Sequence, residues 1–280
     1  MSRTILITGC SSGIGLDAAQ TLHGRGWRVL ATARQPGDVT RLAGEGLEAF
    51  RLDMADPASI AKALDRIRAR VPRLDALVNN AAFAIPGALE DLPTPALREL
   101  FETNLFGLHD LTRGVLAIMR GQEAQDGLRG RVVMVSSVLG MVGMKWRGAY
   151  VASKFALEGY SDVLRLEMAP EGIAVTLIEP GPITTAFRRN ARKAFDRWID
   201  WPASPRAELY RSTLVPRLHA AEDSRDPFEL PPAAVTNRLI AALDARRPRA
   251  RYPVTTPTRV MGLARRILPT GLLDRLVARY

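Results

Sequence analysis

A single cysteine in 280 residues excludes an internal disulfide framework and suits a reducing compartment. That residue, Cys10, stands inside a glycine-rich turn and reads as a small filler rather than a nucleophile. The three histidines, His23, His109 and His219, have no ligand spacing between them, so no metal is expected. No apolar run reaches the roughly 18 residues that a membrane-spanning helix needs. No leader precedes the first strand-like run, because Met1-Ser-Arg enters it directly. Together these absences place the expected protein in the cytoplasm. Repeats, linkers and low-complexity tracts are also lacking, so the length reads as one domain spanning residues 1–280.

What is present begins with Thr4-Ile-Leu-Ile-Thr8, a β-branched apolar run that predicts a buried strand. Gly9-Cys-Ser-Ser-Gly13-Ile-Gly15 follows, and then a helical stretch from Leu16 to His23 that Gly24 and Gly26 would end. Strand, glycine turn and helix form the context of a dinucleotide fingerprint. Glycines let the backbone approach a pyrophosphate, and the helix start offers free N–H groups and positive potential. The bland alternative is a plain tight turn. A second strand, Arg28 to Ala33, leads into Thr32-Ala33-Arg34-Gln35, where the acid that would hold a ribose 2′-hydroxyl is missing. Arg34 in that place suits a 2′-phosphate, so NADP(H) is expected ahead of NAD(H); otherwise Arg34 is an ordinary exposed strand end.

Further on, Tyr150 and Lys154 are four residues apart, a spacing that puts a phenol and an ammonium on one helix face. Ser137 precedes them by thirteen residues, at the end of a predicted strand, Val132-Val-Met-Val135. A helix from about Asp56 to Arg70, another from about Pro95 to Arg120, and strands at Ile173–Ile178 and near Tyr252 complete an alternating pattern. That pattern predicts an α/β fold: a single doubly wound Rossmann-type domain with a parallel sheet flanked by helices, plus a C-terminal helical lid and tail. Gly121 to Gly130 reads as a polar surface loop.

The glycine turn, Asn79-Asn-Ala-Ala82, Ser137 and Tyr150-x3-Lys154, in that order, resemble the short-chain dehydrogenase/reductase family over roughly residues 3 to 187. Tyr150-Val-Ala-Ser-Lys-Phe-Ala-Leu-Glu-Gly159 and Glu179-Pro-Gly-Pro-Ile-Thr-Thr-Ala-Phe187 resemble members acting on steroids and retinoids. The resemblance implies that Gly9, Gly13, Ile14 and Gly15, with Ser11 and Ser12, line the pyrophosphate. It implies further cofactor contacts from Asp53 and Met54, from Asn80 and Ala81, and from Pro180, Gly181, Ile183 and Thr185 around the nicotinamide. Where the family usually has Asn-Asn-Ala-Gly, this chain has Ala82, so either a methyl crowds that turn or the turn has no need of positive φ. Asn104, Ser137, Tyr150 and Lys154 are implied as the catalytic set, with Tyr150 as acid/base, Lys154 lowering its pKa and binding ribose, Ser137 holding the substrate oxygen and Asn104 relaying protons through a water. A phenol ordinarily titrates near pH 10, and Lys154 with a positive nicotinamide is expected to lower it by roughly two to three units. The implied reaction interconverts a ketone or aldehyde with an alcohol; the alternatives are a non-catalytic cofactor sensor or scaffold, or a membrane-peripheral enzyme. The family also implies a homo-oligomer.

Charge is unevenly placed. Residues 1–185 hold 20 basic and 20 acidic side chains, whereas residues 186–280 hold 19 and 9, so the whole net charge of +10 lies in the last third. Arg188, Arg189, Arg192, Lys193, Arg246, Arg247, Arg249 and Arg251 belong to it, and two short amphipathic helices, Arg259–Leu268 and Leu272–Arg279, follow. A solvated face is the first reading, an anionic membrane surface the second and an acidic substrate the third; no nucleic-acid motif is present. A lid from Phe187 to about Pro231 carries Phe187, Phe195, Trp198, Trp201, Tyr210 and Phe228. Those aromatics either receive a bulky apolar substrate or seal the lid onto the body.

Overall fold

In the computed structural model, residues 2–220 and 226–278 are described. The first apolar run forms β1 (Thr4–Ile7), buried at every position. Strands β2 (Arg28–Ala33), β3 (Glu48–Arg51), β4 (Ala76–Asn79), β5 (Gly130–Val135), β6 (Ile173–Glu179) and β7 (Arg251–Pro253) join it in one sheet, in the order β3-β2-β1-β4-β5-β6-β7. Every pairing is parallel. The chain therefore winds outward twice from β1, and the reversal between β1 and β4 opens a crevice at the carboxyl ends of those strands.

Helices cover both faces, as a parallel sheet requires. Successive residues of β1 point to opposite sides: Ile5 and Ile7 pack with Ala18, Ala19 and Leu22 of α1 (Gly13–Gly24), and Leu6 belongs to the opposite core. Helix α2 (Pro36–Gly44) follows β2, and α3 (Pro57–Arg70) follows β3, its first turn capped by Asp56 accepting from the Ala58 amide at 2.9 Å. The stretch expected as one helix from Pro95 to Arg120 is interrupted. It consists of α4 (Thr94–Phe101), a π-helical segment at Glu102–Phe106 and α5 (Gly107–Arg120). An extra residue per turn there re-aims Asn104 into the protein, where it is 1% exposed. Helix α6 (Gly148–Met168) runs for 21 residues against β5 and β6 and carries Tyr150 and Lys154 on its buried side.

Beyond β6 comes α7 (Phe187–Trp198), then the short turns α8 (Ala207–Leu209) and α9 (Val215–Leu218) joined through a π-helical Tyr210–Leu214. Phe195, Ile199, Tyr210, Leu214 and Leu218 form a separate small core with Ile85, Leu100 and Ala149. Buried aliphatic and aromatic side chains stabilise by about 1.5–3 kcal/mol each, so this segment is anchored by its own apolar contacts. Helix α10 (Ala233–Asp244) returns beneath the sheet against α1, and α11 (Thr256–Ile267) and α12 (Thr270–Val277) end the described chain. The two tail helices fall where two amphipathic segments were expected; the second begins two residues earlier, at Thr270, and Arg279 lies outside the described residues.

Candidate active site

The crevice begins at the glycine turn. Gly9 and Gly13 have φ of +73° and +58°, a region that a side chain strains. A Cβ on Gly15 would lie 2.2 Å from the Gly9 carbonyl oxygen, so α1 approaches the turn more closely than any other residue permits. Ser12 stands at the helix start without capping it, and no acid occupies the first turn of α1. Those amides and the positive end of the helix dipole fit a diphosphate. Asn80 braces the turn from β4: its Nδ2 donates to the Thr8 and Gly9 carbonyls at 2.9 and 3.1 Å. Thr8 Oγ1 in turn accepts from the Asn80 and Ala81 amides, both at 2.9 Å. Thr8 was not singled out from the sequence, although its position directly before Gly9 was the available signal. Ala82 is absent from the non-glycine residues with positive φ, so this turn has no need of the family's usual glycine.

Arg34 is exposed at the end of β2, and no acid stands beside it in the chain. Arg41 of α2 also reaches this end, donating to the Ser11 carbonyl at 2.7 Å. Asp53 is half-buried, and its carboxylate accepts from the Ala55 amide at 3.1 Å; Met54 beside it is buried. On the far side of the crevice, Thr185 packs against Gly13, since a Cβ there would sit 2.8 Å from Thr185 Cγ2. Ile183 pairs with Leu230, and Pro180 accepts from the Val138 amide at 2.7 Å, so the Pro180–Thr185 segment is tied to both the lid and the Ser137 loop. A Cβ on Gly181 would collide with Thr255 Oγ1.

Tyr150, Ser137 and Lys154 converge as their spacing suggested. The Ser137 hydroxyl lies beside the Tyr150 phenol, and Ser137 Oγ accepts from the Leu139 amide at 3.1 Å, so it caps a short helical turn and reaches the site at once. Lys154 is 3% exposed; its Nζ lies 5.5 Å from the Tyr150 ring centroid and donates to the Val135 carbonyl at 2.8 Å. Burial pulls the Lys154 ammonium down to about 8, with Glu158 opposing that shift. The expected lowering of the Tyr150 pKa does not hold for the chain by itself. Burial pushes the phenol above its ordinary value, outweighing the Ser137 hydroxyl beside it.

Asn104 uses both amide hydrogens, donating to the Phe83 carbonyl at 3.0 Å and to Ser153 Oγ at 3.1 Å, while its Oδ1 accepts from the Phe83 amide at 3.1 Å. Ser153 donates to the Tyr150 carbonyl at 2.9 Å, which links Asn104 to the first turn of α6. Neither hydrogen of the Asn104 amide is left to donate to a relay water. Phe187 meets Tyr150 edge-on at 5.3 Å between centroids. Phe195 and Tyr210 are at most 1% exposed, so they seal the lid, and Phe228 points outward at 60% exposure. Cys10 is fully buried and pushed up to about 12, which removes it as a nucleophile. Among the described residues, no group of His, Cys, Asp or Glu has the arrangement of a metal site.

Residues 3–196 match the family profile described as short chain dehydrogenase. The chain belongs to that family. YbbO of Escherichia coli K12, an oxidoreductase by name, is 37% identical over 279 residues, covering 99% of this chain and 94% of the relative. Human retinol dehydrogenase 16 is 34% identical over 98% of this chain and 87% of its own length. A short-chain dehydrogenase structure from Streptomyces avermitilis superposes with a TM-score of 0.74 at 29% identity, covering 100% of this chain and 94% of that one. The protein is thus an oxidoreductase with the Rossmann-type architecture of the short-chain dehydrogenases, whose members act on small molecules and commonly oligomerise.

Proposed function

We propose that this chain, read as one unit with a lid at about 187–231 and a tail at about 256–280, interconverts a bulky apolar ketone or aldehyde with its alcohol, using NADP(H). The observation that carries the reading is the contact of Ser137 with the Tyr150 phenol, with Lys154 buried beneath the same ring. When bound, the cofactor supplies or accepts the hydride. Gly9, Ser11, Ser12, Gly13, Ile14 and Gly15 hold its diphosphate, Asp53 and Met54 the adenine end, Asn80 and Ala81 the middle, and Pro180, Gly181, Ile183 and Thr185 the nicotinamide.

Tyr150 gives its phenolic proton to the carbonyl oxygen as reduction proceeds, and takes a proton back in oxidation. Ser137 donates to the same oxygen, where negative charge develops. Among the described residues, no carboxylate lies at hydrogen-bonding distance from Lys154. Its charge therefore acts on the phenolate and on a ribose hydroxyl. Asn104 locks Phe83 and Ser153 in place and so fixes the turn of α6 that bears Tyr150.

NADP(H) is favoured over NAD(H) because Arg34 is exposed where an acid would bind a free ribose, and Arg41 adds a second cation near Ser11. A gluconate 5-dehydrogenase from Burkholderia cenocepacia, 27% identical over 65% of this chain and 72% of its own with a TM-score of 0.58, was crystallised with NADP. An apolar substrate is supported by Phe187 against Tyr150, by the lining from Ala84, Leu139 and Ala191, and by the retinol-named relative. The test is NADPH consumption by purified protein over a panel of long-chain and polycyclic carbonyls. Turnover of at least one is expected; NADPH binding without turnover of any would overturn the reading.

A peripheral membrane contact is a second reading, favoured by one observation. Val260, Leu263 and Ile267 form a stripe on α11 that is 51–67% exposed, with Arg259 and Arg266 exposed beside it. A basic, apolar helix face suits an anionic bilayer surface. No helix among the described residues is long and apolar enough to cross a membrane. Homo-oligomer formation is proposed through α6, where Val163 and Leu166 are exposed; light scattering tests it.

A further inference from the structure

At the β7 edge of the sheet, four arginines line one cleft of about 310 Å³. Arg238 comes from α10, Arg249 and Arg251 from the entry to β7, and Arg259 from α11. Tyr252 and Pro253 complete the wall, and no acid lines it. The cleft is separate from the cofactor crevice, because β4, β5 and β6 stand between β1 and β7 in the sheet. Arg251 is already committed to carboxylates behind it. Its Nη2 lies 2.7 Å from Asp162 Oδ2 and 3.2 Å from Glu158 Oε2, and its Nε lies 3.2 Å from Glu179 Oε1. It therefore forms a fixed side of the cleft rather than a free arm.

The other three arginines have no such match. Among the described residues, no carboxylate lies within ion-pair distance of Arg238, Arg249 or Arg259. Elsewhere on the sheet rim an arginine carries an acidic neighbour, as Arg28 does with Glu48 at 2.9 Å. The placement of two of the three is also built rather than loose. The backbone of Arg249 is pinned from both ends: its amide donates to the Tyr252 phenol at 3.1 Å, and its carbonyl accepts from Thr176 Oγ1 at 3.1 Å. Arg259 stands in the first turn of α11, a turn without an acid, where the helix dipole disfavours a cation. Guanidiniums gathered round one cleft repel each other, and nothing lining the cleft offsets that repulsion. An anion from outside would.

We propose that this cleft is a second ligand site, which binds a multiply charged phosphate: a phosphate monoester or a diphosphate. A carboxylate is matched by one guanidinium in bidentate fashion, whereas a terminal phosphate offers three oxygens to several donors at once. Tyr252 adds an uncharged donor. Its oxygen accepts from the Arg249 amide, which leaves the phenolic hydrogen for the ligand. A volume of about 310 Å³ is at the small end for a ligand site and suits one compact anion with a short organic portion. Two sources present this chemistry, a soluble phosphorylated metabolite and the headgroup of a lipid such as phosphatidic acid. Arg259 stands directly before Val260, where the exposed apolar stripe of α11 begins, so one helix offers both a charged wall to the cleft and apolar side chains next to it. The site does not depend on the reaction at Tyr150.

The experiment is a calorimetric titration of the full chain with inorganic diphosphate, with NADPH saturating so that the glycine turn is filled. Binding at one site is expected, and Arg249→Gln combined with Arg259→Gln should weaken it about 10-fold or more, as the loss of charge-assisted hydrogen bonds predicts. Both side chains are exposed, so the double variant should keep the wild-type melting temperature. Sedimentation with vesicles of phosphatidic acid or of phosphatidylglycerol, matched in surface charge, separates the two sources. Selective binding to phosphatidic acid that free diphosphate displaces assigns the lipid headgroup; diphosphate binding without that selectivity assigns a soluble ligand. Absence of diphosphate binding together with vesicle binding that ignores the headgroup would overturn the site, and so would equal binding by the double variant. None of these outcomes turns on whether a carbonyl is reduced.

Discussion

Residues 1–185 balance their charges and bury many of their polar groups, whereas residues 186–280 carry the entire positive excess and leave much of it at the surface. In the first region geometry is fixed by backbone and buried hydrogen bonds: the glycine turn, Thr8 with Asn80, Asn104 with Phe83 and Ser153. In the second it is fixed by apolar contacts, such as Phe195 and Tyr210 under the lid and Met261 and Leu273 under the tail. Polar networks tolerate little change, since each unsatisfied group costs its desolvation, while surface segments tolerate much. On the proposed reading, the reaction is held by the first region, and the choice of substrate falls to the second.

A glycine exchange tests the contrast most severely. Gly15→Ala should lower stability by about 2–3 kcal/mol and abolish NADPH binding, because the new methyl meets the Gly9 carbonyl. Gly271→Ala in the tail meets nothing within 4 Å and should leave the melting temperature unchanged or slightly raised. Thermal melts with and without NADPH read both; equal effects would break the comparison. Next in size, Arg34→Ala should weaken NADPH binding about 10-fold or more while leaving NADH binding nearly unchanged, as loss of a charge-assisted hydrogen bond predicts. Parallel fluorescence titrations with the two cofactors decide it.

A smaller effect is linked to pH. Glu179 has a folded-state pKa of about 7, above the ordinary 4.5. Its protonated form therefore favours folding below about pH 4.5, and that contribution is lost as pH rises through about 7. Urea midpoints should fall over this window in the wild type and flatten in Glu179→Gln. Least affected should be the fold of Leu263→Ser with Ile267→Ser, within about 0.5 kcal/mol of wild type. The same double variant should sediment less with anionic vesicles if the α11 stripe meets a bilayer.

Much of the first region was legible because its signals are local. The β1 run, the glycine turn and Tyr150 with Lys154 each lie within a few residues, and strand and helix periods carry them. The interruption at Glu102–Phe106 was not legible, since an inserted helical residue leaves the apolar pattern of α4 and α5 nearly continuous. Glu158 and Glu179 read as ordinary charged residues until Arg251, 93 positions after Glu158, is brought against them by β7. The lid aromatics show the opposite limit. Composition marked six of them, but only packing separates Phe187, beside Tyr150, from Phe195 and Tyr210 in a sealed core.

The central claim is that Tyr150 exchanges the proton while the rest of the crevice holds the cofactor. Tyr150→Phe keeps the ring and its contact with Phe187 but removes the hydroxyl. Measured side by side, carbonyl-dependent NADPH oxidation should fall about 10³-fold while NADPH affinity stays within about 2-fold of wild type. Turnover near the wild-type rate in Tyr150→Phe would contradict the account.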